Sequence, residues 1–504
     1  MKIGTALWIG MAGIGCFGAT TAQATTLWAA PTGKSANAGT EAAPLDIVSV
    51  IKKLVAGDSL LLKPGTYAIP YTAGAKNSLV CAVKATQAAP IVVRSPVGRA
   101  VLDFGFPEDT YFQDSYGISL TGSWWTFERI DVTRAGYQGT YVTGDHNTFD
   151  NCKFYNNRNS GVEVNKGGSN TLLRNVDSYD NYDPKKTGSM SDGFAIKQTM
   201  GAGNKLVGCR AWGNSDDGYD TFDSPEFVTL DSCWAATSGW YHGDPKDSRS
   251  NTAMNGNGFK IGGLGQIQRN VLRNCVAFGN KARGFDQNSN TGGITLKNCT
   301  SYKNGTQNYS FAATLAAGEK NVFTNNISLS PGSADQITTA TSTTNTWNSL
   351  SAAASDFLST DVSLALPARN DDGSIPASAF LRLKTGSKLI DAGTNAGLSF
   401  LGKAPDLGAF ESVPGTTGLT VQVPGRKAMV GFRNGQLQAE FRLDGDATVR
   451  LSLVAVDGQI LSRIERTLST GEHALALPWT ARGVAFAVLE RDGAPWLRST
   501  LAKH

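Results

Sequence analysis

Short runs of alternating apolar and polar residues recur through the middle of this chain. They read Asn147-Thr-Phe-Asp-Asn-Cys152, Asn170-Thr-Leu-Leu-Arg-Asn-Val176, Asn204-Lys-Leu-Val-Gly-Cys209, Val228-Thr-Leu-Asp-Ser-Cys233, Asn270-Val-Leu-Arg-Asn-Cys275, Ile294-Thr-Leu-Lys-Asn-Cys299 and Asn321-Val-Phe-Thr-Asn-Asn326. Alternation with period two marks a strand, and the Asn, Ser or Gly near the end of each run marks a turn. The final positions are 24, 33, 24, 42, 24 and 27 residues apart. A base period near 24 with insertions predicts a solenoid of β-coils, a parallel β-helix. Equivalent residues of successive coils then lie about 4.8 Å apart.

The ends of the solenoid need covers. After Asp46, an N-cap residue, Ile47, Val50, Ile51 and Leu54 form the apolar stripe of one helix, predicted to cap the first coil. The repeats fade after Ser330, and the stretch from Ile390 to Glu411 reads as the end of the large domain, residues 25–412. Residues 413–504 begin with a Pro/Gly/Thr linker. Alternating strands follow, with turns at Asn434-Gly435, Asp457-Gly458 and Asp492-Gly493, so this tail is predicted to be a small β-sandwich for sorting, attachment or an accessory role. Trp479 and Trp496 are its candidates for stacking on sugar. Met1–Ala24 has Lys2, an apolar run and a small-x-small end, the pattern of a cleaved secretory signal. Cys16 raises lipidation, but Gly13 stands where an apolar residue is usual. The expected product is an exported, extracellular bacterial protein without a membrane span, a monomer by default.

Composition narrows the class. The chain has 504 residues, a net charge of +4, 57 Gly and 4 His. Abundant glycine without collagen periodicity fits an all-β chain, and the absence of a basic run speaks against nucleic acid as a partner. Beyond Cys16, six cysteines remain: Cys81, Cys152, Cys209, Cys233, Cys275 and Cys299. Most occupy one column of the repeat, so free buried thiols are the preferred reading, with a Cys209–Cys233 or Cys275–Cys299 disulfide as the alternative. Beside them Asn151, Asn175, Asn274, Asn298 and Asn325 form a column predicted to bond coil to coil.

Candidate chemistry sits in a second column, Gly193-Phe194, Gly218-Tyr219, Gly258-Phe259 and Gly284-Phe285. If the aromatics stack inward, the residues beside them face out: Asp192, Asp217, Asn257 and Arg283 before each Gly, and Ala195, Asp220, Lys260 and Asp286 two after it. Asp216 adds a further carboxylate. Asp192, Asp216, Asp217 and Asp220 crowd negative charge that Ca²⁺, with its 6–8 oxygen ligands, would neutralise; zinc is disfavoured without His or Cys nearby. Lys260 follows Asp220 one coil on. It is either a counter-charge or, when neutral, a base, and the second reading predicts an alkaline optimum. Arg283 and Lys197 are candidates for binding substrate carboxylates, ahead of Arg158 and Lys281. A secreted β-helix with calcium and a lysine suits β-elimination on a uronate polymer.

The runs Ser191-Asp-Gly-Phe-Ala, Cys209-Arg-Ala-Trp-Gly-Asn-Ser-Asp-Asp-Gly-Tyr-Asp220, Asn255-Gly-Asn-Gly-Phe-Lys-Ile-Gly-Gly263, Asn274-Cys-Val-Ala-Phe-Gly-Asn and Gly284-Phe-Asp-Gln-Asn288 resemble family 9 polysaccharide lyases, the pectate lyases of that family. The likeness spans Thr26 to Glu411. It implies a right-handed parallel β-helix, endo-acting cleavage of polygalacturonate to 4,5-unsaturated products, calcium on Asp192, Asp216, Asp217 and Asp220, and Lys260 as Brønsted base. Three rivals stay open. One is a lyase on another acidic polymer such as rhamnogalacturonan, one a β-helix polygalacturonase using Asp216 and Asp217, and one a non-catalytic β-helix that binds carbohydrate. The hydrolase lacks its Gly-His-Gly and Arg-Ile-Lys motifs in this sequence.

Overall fold

Each repeat folds as one coil of three short strands, and successive coils stack in parallel. A computed structural model describes residues 24–412, except 339 and 349, and the strands of 428–503 apart from residues 434–435, 444, 456–459, 479–482 and 493. The coils build one 12-stranded sheet, from Thr26–Ala29 to Ala340–Thr343, and two 10-stranded sheets. One of the latter runs from Leu79–Cys81 to Gln336–Ile337 and is called the site sheet below; the other, from Gly65–Ala68 to Ile327–Leu329, is the back sheet. This is a right-handed parallel β-helix, all-β as predicted.

The helix predicted after Asp46 spans Ile47–Ile51, shorter than the apolar stripe, with the Asp46 carboxylate accepting from the Ser49 amide at 2.9 Å. Ile47, Val50, Ile51 and Leu54 all enter the solenoid core. The described cysteines are all free and buried, which settles that choice. Five of them donate weakly to a carbonyl of the preceding coil, as Cys209 Sγ does to Leu173 O at 3.3 Å and Cys233 Sγ to Leu206 O at 3.5 Å.

The asparagine column behaves differently from expectation. Asn151, Asn175, Asn274, Asn298 and Asn325 have φ of 50–60° and turn the chain into the back sheet, with Gly208 and Ser232 at the equivalent corners. Asparagine tolerates this left-handed region better than most residues. Within the column, Asn325 donates to Asn298 at 3.0 Å, and the continuous ladder lies elsewhere. It runs through buried Asn157, Asn181 and Asn214, with Nδ2 to Oδ1 distances of 3.0 and 2.8 Å, and resumes at Asn280 and Asn304 at 2.8 Å.

Another left-handed corner follows the back-sheet strands at Asn156, Asp180, Gly213 and Gly279. Burial lifts the Asp180 carboxyl from 3.8 to about 7. The folded state therefore holds a proton that the unfolded chain has released, and stability falls as pH rises through that window. Asp180→Asn, the residue found one coil earlier, removes this cost. We expect its melting temperature to exceed the parent's at about pH 8 and to match it near pH 4.

After Thr343 the chain wraps back along the back sheet. Phe357, Phe380, Leu381, Leu389 and Leu407 pack there against Trp234, Val276, Phe278 and Leu329. The tail forms a three-stranded and a four-stranded antiparallel sheet around Leu437, Phe441, Val449, Leu451, Leu477 and Leu489, a small sandwich. Residues 1–23 of the predicted signal, the linker over 413–427, the turns at 434–435 and 457–458, Gly493, Trp479 and the Trp496 side chain lie outside the described residues.

Candidate active site

The site sheet sets the column in register. Glu163 pairs with Ala195, Ala195 with Asp220, Asp220 with Lys260, and Lys260 with Asp286. Phe194, Tyr219, Phe259 and Phe285 stack inward with centroids 4.9, 4.6 and 4.8 Å apart. The glycine before each aromatic is needed for space: a Cβ on Gly218 would lie 2.7 Å from Gly258 O. The column read from the sequence is thus the column of the fold.

Asp192, Asp217 and Asp220, all buried, bring carboxylate oxygens within 4.8 Å of one another. Asp217 Oδ1 accepts from the Asn257 amide at 2.8 Å and from Asn257 Nδ2 at 2.9 Å. Asp217 Oδ2 accepts no hydrogen bond and has Lys260 Nζ at 3.2 Å. Asp192 Oδ2 and Asp220 Oδ2 receive Lys197 Nζ at 2.7 and 2.9 Å. Asp216 stands beside this cluster. Its two oxygens accept from the Met190 and Asn255 amides at 2.7 and 3.1 Å.

Three buried carboxylates therefore share two ammonium groups, the Lys197 one buried and the Lys260 one still partly exposed. Burial, with Asp216 and Asp192 adding like charge, raises the Asp217 carboxyl well above its usual value; burial likewise lifts Asp216 to about 6. Asp220 goes the other way: burial opposes its charge, but Lys197 and Lys260 hold the carboxyl low. For Lys260, burial favours the neutral amine, yet Asp217, Asp220 and Asp192 outweigh it and hold the ammonium well above its usual pKa. An all-oxygen set with one buried oxygen lacking a hydrogen bond fits a hard divalent cation.

Lys197, predicted to meet substrate, is 6% exposed and spends its ammonium on Asp192 and Asp220. Arg283 has 41% of its side chain exposed and pairs with Asp286 at 3.0 Å. It lines a polar cavity of about 230 Å³ with Asn288, Ser310 and Gln336, on the C-terminal side of the cluster. Arg158 donates to Phe106 O, Pro107 O and Asn156 O, and Lys281 to Asn251 O and Met254 O, so both brace loops.

The two long spacings in the repeat become turns leading from the back sheet into the site sheet, between Tyr179 and Phe194 and between Ala236 and Phe259. Met190 and Asn255, near their ends, are the residues that Asp216 ties down. Sequence reasoning gave no role to Asn257, which orients Asp217, or to Phe222, whose ring lies 5.1 Å from Lys260 Nζ. Asn257 had a signal, its place in the outward column beside Gly258; Phe222 had none.

The family model for the Pel9A-like right-handed beta helix region matches residues 27–326. The chain is 49% identical over 388 residues to pectate lyase L of Dickeya chrysanthemi, covering 76% of this chain and 90% of that protein. The crystal structure of pectate lyase Pel9A superposes with a TM-score of 0.73 at 47% identity, covering 77% of this chain and 96% of that one. A rhamnogalacturonan lyase follows with a TM-score of 0.62 at 26% identity, covering 72% and 98%. With the acidic cluster and Lys260 in register on one sheet, the chain belongs to the Pel9A-like right-handed β-helix family and is a family 9 polysaccharide lyase.

Proposed function

We propose that the chain is a secreted, calcium-dependent pectate lyase that cleaves polygalacturonate by β-elimination. The observation that carries this reading is the placement of Lys260 one coil from Asp220 and 3.2 Å from the oxygen of Asp217 that accepts no hydrogen bond. Asp192, Asp217 and Asp220, with Asp216 at their side, would hold Ca²⁺. Calcium at those carboxylates would supply Lewis-acid chemistry that makes the proton at C5 of a uronate more acidic.

The chain's own part is the proton transfer. Lys260 takes the C5 proton, the C–H electron pair becomes the C4–C5 double bond, and the glycosidic oxygen at C4 departs and is protonated, so no water is consumed. Lys260 must first be neutral. Once Asp217 and Asp220 are neutralised, the pull that keeps its ammonium charged is gone, and burial then favours the free amine. Activity is expected to rise toward alkaline pH as the neutral fraction grows. Arg283, its side chain 41% exposed and paired with Asp286, would leave that partner to pair with a neighbouring uronate.

Polygalacturonate incubated with the enzyme tests the reading directly. A calcium-dependent rise in ultraviolet absorbance that a chelator abolishes is the expected result. Reducing ends without that rise would mean hydrolysis. The likeness to a rhamnogalacturonan lyase supports a second reading, the same elimination on rhamnogalacturonan, and the same assay on that polymer decides between them. Asp217→Asn should weaken calcium binding at least about tenfold in a direct titration; an unchanged titration would remove Asp217 from the metal site.

A further inference from the structure

The wrap of the C-terminal segment over the back of the β-helix leaves a cavity of about 270 Å³. Its floor includes Asn175, Gly208, Ser232 and Asn274, the left-handed corners of four successive coils. Three coil steps make that floor about 14 Å long. Arg382 and Phe410 of the wrap form part of the opposite wall, with the guanidinium 4.4 Å over the Phe410 ring.

Arg382 stands apart from the other sheltered arginines of the solenoid. Arg210 and Arg369 share Asp177, Arg99 pairs with Asp131, and Arg158 donates to three carbonyls. Arg382 is half-buried, enough that burial pulls down its pKa, and its guanidinium stays open to the cavity; no described residue forms an ion pair with it or accepts a hydrogen bond from that guanidinium. The Asn175 amide at the floor likewise makes no side-chain hydrogen bond with the described residues, while Asn274 has only Asp231 at 3.4 Å. An unpaired guanidinium that lines a cavity keeps its planar fork free for a carboxylate.

We propose that this cavity is a second carboxylate site, which holds a uronate residue of the polysaccharide away from the cleaving centre. Its ligand class rests on the substrate reading above. The guanidinium fork takes the carboxylate, and the Asn175 and Asn274 amides take ring hydroxyls. The polymer is thereby anchored on one sheet while another sheet cuts it.

The test is calorimetric titration of galacturonate into the full chain with a chelator present, so that calcium at the acidic cluster does not contribute. Saturable binding is expected, weakened at least about tenfold by Arg382→Gln and retained in part by Arg382→Lys, with parental melting temperatures as the check on folding. Activity of Arg382→Gln on a short soluble oligogalacturonate should stay at the parental level, while KM for the polymer rises. Parental binding by Arg382→Gln, equal binding of galactose, which lacks the carboxylate, or no saturable binding by the parent would each overturn the proposal. Failure of the lyase reading would show separately, as missing ultraviolet-absorbing product while galacturonate still binds at Arg382.

Discussion

Replacing Lys260 with alanine is expected to lower kcat on polygalacturonate about 10²–10⁴-fold, the span that a positioned general base supplies. KM should change little if Lys260 is the proposed base, because a base acts on the proton at C5 rather than on the sugar's affinity. The more decisive variant is Lys260→Arg. Its guanidinium keeps the positive charge beside Asp217 and Asp220 but does not give up its proton in a protein. A base role predicts that Lys260→Arg is as inactive as Lys260→Ala; a counter-charge role predicts near-parental activity. Without calcium, Lys260→Ala should also melt at a lower temperature, since three buried carboxylates would then share Lys197 alone. Calcium should restore that loss and leave the turnover defect in place. Activity within about tenfold of the parent in both variants would remove Lys260 from proton transfer.

What could be read from the sequence follows from the physics of a parallel stack. Once Cys209, Cys233, Cys275 and Cys299 align, the register of the neighbouring strands is set. The pairing of Asp220 with Lys260, 40 positions apart, then follows from counting from the glycines at 218 and 258. Chain segments that do not repeat carry no such signal. The wrap over 354–412 packs irregularly on the back sheet, and nothing in its spacing marks Phe380 or Leu389 as partners of Phe278 or Trp234. The asparagines show a further gap. Residue type and period are the same for Asn175, a left-handed corner, and Asn181, a buried ladder rung, and only backbone conformation separates them. For Lys197, the direction of the ammonium, onto Asp192 and Asp220, depends on the rotamer, which residue type and spacing do not encode.

The largest expected effect on stability lies on the back sheet, at Asp177. In the outward column there, Asp131, Lys153, Asp177 and Arg210 follow one another in register. The wrap seals Asp177 under Arg369: Arg210 reaches it at 2.8 Å from one side and Arg369 at 2.8 Å from the other. Arg210 also donates to Pro367 O, and Arg369 to Gly208 O, so the carboxylate sits where the wrap is fastened to the coils. Asp177→Ala leaves two buried guanidinium groups without their charge partner, at a cost of about 3–5 kcal/mol. For a domain of this size that lowers the melting temperature by about 4–6 °C. Burial alone would raise the Asp177 carboxyl, but the two arginines win and hold it below 3.8. A lowered pKa means that the contribution is present above the unfolded value and fades as pH falls through the folded one. The gap between parent and Asp177→Ala should therefore be full at neutral pH and narrow steadily in acid. Activity assayed well below the transition should be spared, because Asp177 lies on a different sheet from Lys260. Replacing Asp177, Arg210 and Arg369 together with apolar residues should recover most of the loss, since no buried charge then lacks a partner. A single variant that melts within about 1 °C of the parent at neutral pH would mean that water reaches these arginines, and that the wrap is fastened by its apolar contacts alone.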